Sequence, residues 1–175
     1  VAPYLLKYGA DDQKKNYLPR MARGEIIGAI AMSEPGVGSD LQSVKTSAVK
    51  DGEGYYTVNG AKTFITHGRI GGVMVVIAVT DRTKGHRGIS AFIVEHGTPG
   101  MSAGKKENKL GMRASDTSEV IFDQCRVPSD QLLGEEGQGF INTLQVLDGG
   151  RIGIAALAVG LAQGAYEAAL AYAKE

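Results

Sequence analysis

The rhythm of hydrophobic and polar positions changes twice along the chain. Over GADDQKKNYLPRMARGE, Tyr17, Leu18 and Met21 fall at helical spacing behind Asp11 or Asp12, either of which can serve as an N-cap, and Gly24 stops the segment. From Ile26 to about Val127 the period becomes two. The runs GAIAM, YYTVNG, KTFIT, VMVVIAV, ISAFIVE and EVIFDQCRV are separated by glycine-rich or charged turns, which predicts an all-β domain. After LLGEEGQGF the helical rhythm returns, with Leu144, Leu147, Ile152, Ala155, Val159, Ala162, Tyr166 and Leu170 repeating every three or four residues.

The connections refine this picture. Asp51, Gly52 and Gly54 lie between strand-like runs, and Asn59-Gly60 is the strongest short hairpin dipeptide, so antiparallel neighbours are expected. VMVVIAVT is apolar on both faces and should be central, whereas Lys45, Thr46 and Lys50 suggest a wet face on an earlier strand. A closed or two-sheet antiparallel barrel accommodates both. The expected fold class is α+β: an N-terminal helix, an antiparallel β-barrel or two-sheet middle domain, and the first long helix of a C-terminal bundle. The corresponding segments are 1–25, 26–133 and 134–175. The last helix is rich in small residues (GIAALAVGLAQGA), a composition suited to close packing against other helices.

Composition narrows the function classes. Nineteen Lys and Arg balance nineteen Asp and Glu, leaving no overall field to draw nucleic acid or an anionic membrane. Cys125 is the single cysteine, so no internal disulfide forms. No uninterrupted apolar run approaches the ~20 residues of a bilayer span, and a soluble chain in a reducing compartment is expected. Val1 opens an apolar stretch without a methionine, and Glu175 ends an uncapped helical pattern, so a piece of a longer protein is expected.

The richest chemistry is in AMSEPGVGSD. A strand runs into a turn stiffened by Pro35, with Gly36 and Gly38 permitting close backbone approach and Ser33 and Ser39 supplying hydroxyls. An oxygen-rich ligand or a tight turn with capping serines would each use these residues. Glu34 reads as a structural acceptor rather than a general base, and GVG lacks the third glycine and the βαβ context of a dinucleotide fingerprint. His67, His86 and His96 show no metal-ligand spacing and sit at turns or strand ends, where solvated histidines are the usual case, and Cys125 reads as a buried strand residue. Asp148 and Arg151 share a helix face, where a surface ion pair and an anion-binding pair are both open.

Four collinear segments give the chain a family resemblance: AMSEPGVGSDLQS, KTFIT, the stretch from ISAFIVE to KLGMRASDTSEVIFDQCRVP, and LDGGRIGIAALAVGLAQ. Together they resemble the acyl-CoA dehydrogenases, and LDGGRIGIA with TDRTKGHRGISAF looks closest to short-chain, butyryl-CoA-type members. The resemblance implies FAD as cofactor. It places Ile30, Ala31, Met32, Ser33, Gly38 and Ser39 along the flavin, with the Ser33 hydroxyl where many relatives have threonine. Phe64, Ile65 and Thr66 become the second flavin wall, Phe64 standing where many relatives have tryptophan and the Thr66 hydroxyl near N5. Ser39, Asp148 and Arg151 match positions that contact the acyl-CoA, and Arg113, Ser115 and Asp116 a loop that frames the cofactor pocket or braces the barrel.

The implied reaction is α,β-dehydrogenation of an acyl-CoA to a trans-2-enoyl-CoA, with an electron-transferring flavoprotein as acceptor and a homotetrameric assembly, in a bacterial cytoplasm or a mitochondrial matrix. Neither Glu34 nor Glu167 matches the family's catalytic base, which is expected downstream of Glu175. No catalytic residue is therefore assigned within the chain. An acyl-CoA oxidase, a flavin monooxygenase-like relative and a non-catalytic binding barrel are the alternative readings.

Overall fold

A computed structural model describes every residue from Val1 to Glu175. In chain order the elements are α1 (Ala2–Tyr8), α2 (Asp11–Ala22), β1 (Gly28–Ala31), β2 (Ser47–Lys50), β3 (Tyr55–Thr66), β4 (Val73–Val79), β5 (Ile89–Glu95), β6 (Met101–Lys106), β7 (Thr117–Pro128) and α3 (Gly139–Tyr172). The chain divides into two units, Val1–Asn142 and Thr143–Glu175.

In the first unit all seven strands join one sheet, ordered β1-β4-β2-β3-β7-β6, with β5 on the other side of β4. β4 is buried at every position, as its two-faced apolar run predicts. The sheet is mixed rather than antiparallel: β1 runs parallel to β4 from Gly28↔Val73 to Ala31↔Val76, and β2 meets β4 in parallel at Ser47↔Val79. The reason is the number of reversals. The chain turns back once at Asp51–Gly54 and again after Thr66, which returns β4 to the direction of β1 and β2. The sheet curls into a half-barrel, so the chain just after β1 lies beside β3, where the Thr63 N–H donates to the Ser33 carbonyl at 2.9 Å.

The β2–β3 hairpin forms where the Asp51/Gly52/Gly54 signal places it. Asp51 Oδ1 accepts from the N–H groups of Glu53 (2.9 Å) and Tyr55 (3.0 Å). Asn59-Gly60 is not a hairpin but a bulge within the long strand β3, facing β7. Gly60 has φ 150°, and a Cβ there would come 2.8 Å from Thr46 Cα. Asn59 Oδ1 accepts from the backbone N–H of Gln124 at 2.8 Å, and Gln124 itself has φ 51°. The dipeptide supplies the backbone freedom a bulge also uses. Inside the curl lies the core, including Tyr56, Val58, Met74, Val76, Phe92, Val94, Val120 and Phe122.

Two helical expectations change. The N-cap of α2 is Ala10 rather than Asp11 or Asp12, because Gln13 turns back to accept from the Ala10 N–H at 3.0 Å. Gln13 also donates to the carbonyls of Asp130 (2.7 Å) and Leu132 (3.1 Å), tying α2 to the turn after β7. Asp11 and Asp12 instead occupy the first turn, where their charge complements the helix dipole. By length and composition alone, α3, which begins at Gly139 in the first unit and makes up most of the second, is long and apolar enough to cross a bilayer, which corrects the expectation that no segment is. Its leucines, isoleucines, valines and alanines are interrupted by glycines and polar residues, so no continuous apolar run marks it in the sequence.

Candidate functional site

Two strand ends converge on one cavity of about 400 Å³. From β1 come Ile30 and, just beyond the strand, Met32 and Ser33; from the end of β3 come Phe64, Ile65 and Thr66, followed by His67. The β1 side ends in a tight turn closed by reciprocal bonds, Glu34 N–H to Val37 O and Val37 N–H to Glu34 O, each 2.9 Å. The β3 side is shaped by a register shift between Lys62 and Ile65 against β7. It leaves Phe64 at φ 56° with its ring 66% exposed, and His67 follows at φ 62°. Non-glycine residues held in this region store strain, and such positions gather at binding sites.

The loop carrying Arg113, Ser115 and Asp116 braces this second wall. The His67 N–H donates to the Asp116 carbonyl at 2.9 Å and the Arg69 N–H to Asp116 Oδ2 at 3.1 Å. Lys109 Nζ holds the loop to itself through Ser115 O and Thr117 Oγ1, both at 2.8 Å. Across the cavity, His67 Nδ1 lies 3.3 Å from the Gly28 carbonyl, linking the end of β3 to the start of β1. Sequence reasoning left His67 as a solvated turn residue; its positive φ depends on a tertiary bulge that no local pattern announces.

Behind the turn sits a buried ion pair. Lys62 Nζ donates to Glu34 Oε1 at 2.8 Å, with the lysine side chain 0% and the glutamate 5% exposed. Glu34 also accepts from Thr46 Oγ1 (2.6 Å), Thr46 N–H (3.0 Å) and Lys45 N–H (2.7 Å). Burial alone would raise the Glu34 pKa, but the bonds from Lys62 and Thr46, the lysine charge and the Lys45 N–H together hold it below the ordinary value. Glu34 is thus a structural acceptor, as its sequence context suggested. The role of Lys62 was missed, although a lysine two residues after Gly60 and four after inward-facing Val58 is the available signal of an inward-facing cation.

The remaining sequence-derived positions separate. Ala31 is fully buried behind the cavity, in the core. Gly38 and Ser39 are exposed and do not line the cavity. Asp148 and Arg151 are exposed on α3 and make no ion pair with one another. Cys125 is buried, which pushes its thiol up to about 11. His86 tilts against Phe140, ring centroids 5.6 Å apart.

A flavin ring requires an apolar wall, a space of matching size and donors for its oxygen- and nitrogen-rich edge. Phe64 and Ile65 provide the wall. Cavities of this volume suit a compact organic ligand, falling in the ~300–1,000 Å³ range of such sites. The Ser33 N–H donates no hydrogen bond within the fold, and neither Ser33 Oγ nor Thr66 Oγ1 makes one. The donor set and the shape therefore fit the group.

Comparison with known proteins agrees with this geometry. Residues 29–125 match the family described as acyl-CoA dehydrogenase, middle domain. The chain is 48% identical to acryloyl-CoA reductase (NADH) of Anaerotignum propionicum, over 100% of the chain and 45% of that protein. It is 49% identical to the short-chain specific acyl-CoA dehydrogenase of Clostridium acetobutylicum, over 99% of the chain and 46% of that protein. The crystal structure of butyryl-CoA dehydrogenase from Megasphaera elsdenii superposes with a TM-score of 0.90 at 44% identity, covering 93% of this chain and 42% of that one. The chain thus spans about half the length of the curated relatives it matches. On the match across most of its curled sheet, the chain belongs to the acyl-CoA dehydrogenase family.

Proposed function

We propose that these residues form the flavin- and thioester-binding part of an enzyme that dehydrogenates an acyl-CoA across its α,β bond to a trans-2-enoyl-CoA. The observation carrying this reading is the convergence of Met32-Ser33 with Phe64-Ile65-Thr66 around one cavity whose serine donors are unused within the fold. Bound there, FAD would supply the two-electron acceptor that the reaction requires. Phe64 and Ile65 give a planar ring an apolar face. The Ser33 N–H and hydroxyl offer fixed dipoles to the edge where negative charge accumulates, and such preorganised donors stabilise developing charge without rearranging. Thr66 presents its hydroxyl from the opposite strand.

The substrate assignment follows the relatives with short acyl chains. Gly38 and Ser39 are proposed to meet the cofactor and thioester from the exposed side of the Pro35 turn, and Asp148 and Arg151 to meet the CoA portion. The three segments 1–25, 26–133 and 134–175 are proposed as parts of a helical, a β and a second helical domain. No carboxylate lines the cavity. The α-proton is therefore assigned to a glutamate outside these residues, and electron delivery to an electron-transferring flavoprotein within a homotetramer of the bacterial cytoplasm or mitochondrial matrix.

The test is anaerobic titration of the flavin-loaded full-length enzyme that carries these residues and the glutamate with short, medium and branched acyl-CoA thioesters while following the oxidised-flavin band; these residues alone are expected to give no bleaching. Bleaching by the short straight-chain thioesters is expected. A band that no thioester bleaches would overturn the reading, and rapid oxygen consumption with substrate would move it to an oxidase.

A further inference from the structure

Lys62 is buried completely, on a strand face that otherwise carries apolar side chains. An ammonium in such a place must be paired or lose its charge. Pairing with Glu34 answers that need, but Glu34 is already satisfied by Thr46 Oγ1 and by two backbone N–H groups. The contact that distinguishes Lys62 is the other one: Nζ donates to the Met32 carbonyl at 3.1 Å.

Met32 and Ser33 share a peptide unit on the cavity wall. No peptide bond in the chain is cis, so fixing the Met32 carbonyl toward Lys62 fixes the Ser33 N–H on the opposite side of the same unit. That N–H has no partner within the fold. The Ser33 carbonyl is held in turn by the Thr63 N–H at 2.9 Å, so the segment is clamped to β3 at consecutive carbonyls. A cation on the carbonyl oxygen draws electron density from the amide, and bonds in such a chain polarise one another.

We propose that Lys62 is a positioning residue for the cavity: through the Met32 carbonyl it orients and polarises the Met32–Ser33 peptide, making the Ser33 N–H a stronger donor to an electron-rich ligand. Resting on the flavin reading above, this means that Lys62 favours the reduced, more negatively charged cofactor over the oxidised one. Glu34 has a different part. It compensates the lysine charge and anchors the turn to Lys45 and Thr46.

The experiment measures FAD affinity and flavin midpoint potential in the flavin-loaded protein and in three variants: Glu34→Gln, Lys62→Gln, and the charge-balanced double variant Lys62→Met/Glu34→Gln. The double variant is expected to bind oxidised FAD as the parent does. Its affinity for reduced FAD should fall tenfold relative to oxidised, a shift of about 30 mV to more negative potential for a two-electron couple. Glu34→Gln leaves the buried ammonium without its counter-charge and so favours the neutral amine, which still donates to Met32; it is expected to shift the potential in the same direction as Lys62→Gln. Should the double variant not fold, Lys62→Gln, with a neutral donor in place of the cation, is expected to shift in the same direction. A parent potential in the lysine variants, or a shift to more positive potential in them, would overturn the proposal. A parent protein that takes up no FAD would instead overturn the functional reading on which it rests.

Discussion

Tyr56 and Phe92 meet edge to face inside the curled sheet, ring centroids 4.9 Å apart and planes inclined at 61°. Tyr56 also donates its hydroxyl to Glu136 Oε2 at 2.7 Å, so the pair joins β3 and β5 to the segment leading into α3. Burial first, then the bond to Glu136 and its charge, push the Tyr56 phenol up to about 12. Replacing Phe92 by alanine removes a fully buried ring and is expected to cost about 3–5 kcal/mol. About 0.5–1.5 kcal/mol of that belongs to the aromatic contact and should disappear when Tyr56 is leucine. Urea denaturation of the single and double variants measures both; a loss for Phe92→Ala well under the first range would show that the core is organised elsewhere.

At Gly60, β3 packs directly against Thr46, in the chain entering β2. A methyl group there would face Thr46 Cα at 2.8 Å in a backbone conformation that side chains disfavour. Gly60→Ala should therefore destabilise by about 1–3 kcal/mol, by overpacking against backbone that cannot swing aside. Gly36, with open space around its Cα, is the control, and Gly36→Ala should change stability far less. Equal denaturation midpoints for the two variants would contradict the packing argument.

These two sites also mark what was legible in the sequence. The fully buried β4 and the Asp51–Gly54 hairpin could be read because composition and turn chemistry act locally. Asn59-Gly60 was misread because positive φ serves hairpins and bulges alike, and only pairing with β7 decides between them. The parallel pairing of β1 with β4 depends on the whole path between them. The residues proposed as the flavin wall were picked out by family motif, whereas Lys62 was given no role at all. Its partner is 28 residues away, and a lysine in an alternating strand reads locally as one more polar position.

Glu34 makes the fold sensitive to acid. Its carboxyl titrates below the ordinary value of 4.5 in the folded chain, so between those two values the unfolded chain binds the proton more readily. The stabilisation is complete above 4.5 and is lost as pH falls through the folded value. Glu34→Gln removes this titration, and its stability should decline less steeply than the parent's over that interval. Denaturant midpoints followed from neutral pH to well below 4.5 would show parallel curves if the carboxylate did not matter.

Cys125 is closed off both sterically and electrostatically: it has no exposed surface, and burial raises its thiol to about 11, far from the thiolate needed for reaction. A disulfide reagent such as dithiobisnitrobenzoate is expected to label one equivalent per chain in urea and almost none in the folded protein. Prompt labelling without denaturant would mean that β7 opens readily beside the cavity's second wall.

Phe64 sets binding against stability within a single residue. Its ring is 66% exposed, so its removal forfeits little burial, while its φ of 56° is disfavoured for an aromatic side chain. Asparagine tolerates that region far better. Phe64→Asn is therefore expected to leave the denaturation midpoint unchanged or to raise it, with a gain of up to ~1 kcal/mol from relieved strain. FAD affinity should fall at the same time, because the apolar face that Phe64 gives the cavity is gone; an aromatic contact worth about 0.5–1.5 kcal/mol corresponds to a loss of about two- to tenfold in binding. Calorimetric melting of the cofactor-free protein and fluorescence titration with FAD separate the two effects. A variant that melts earlier and binds FAD normally would make Phe64 a structural residue and remove the second wall from the proposed site.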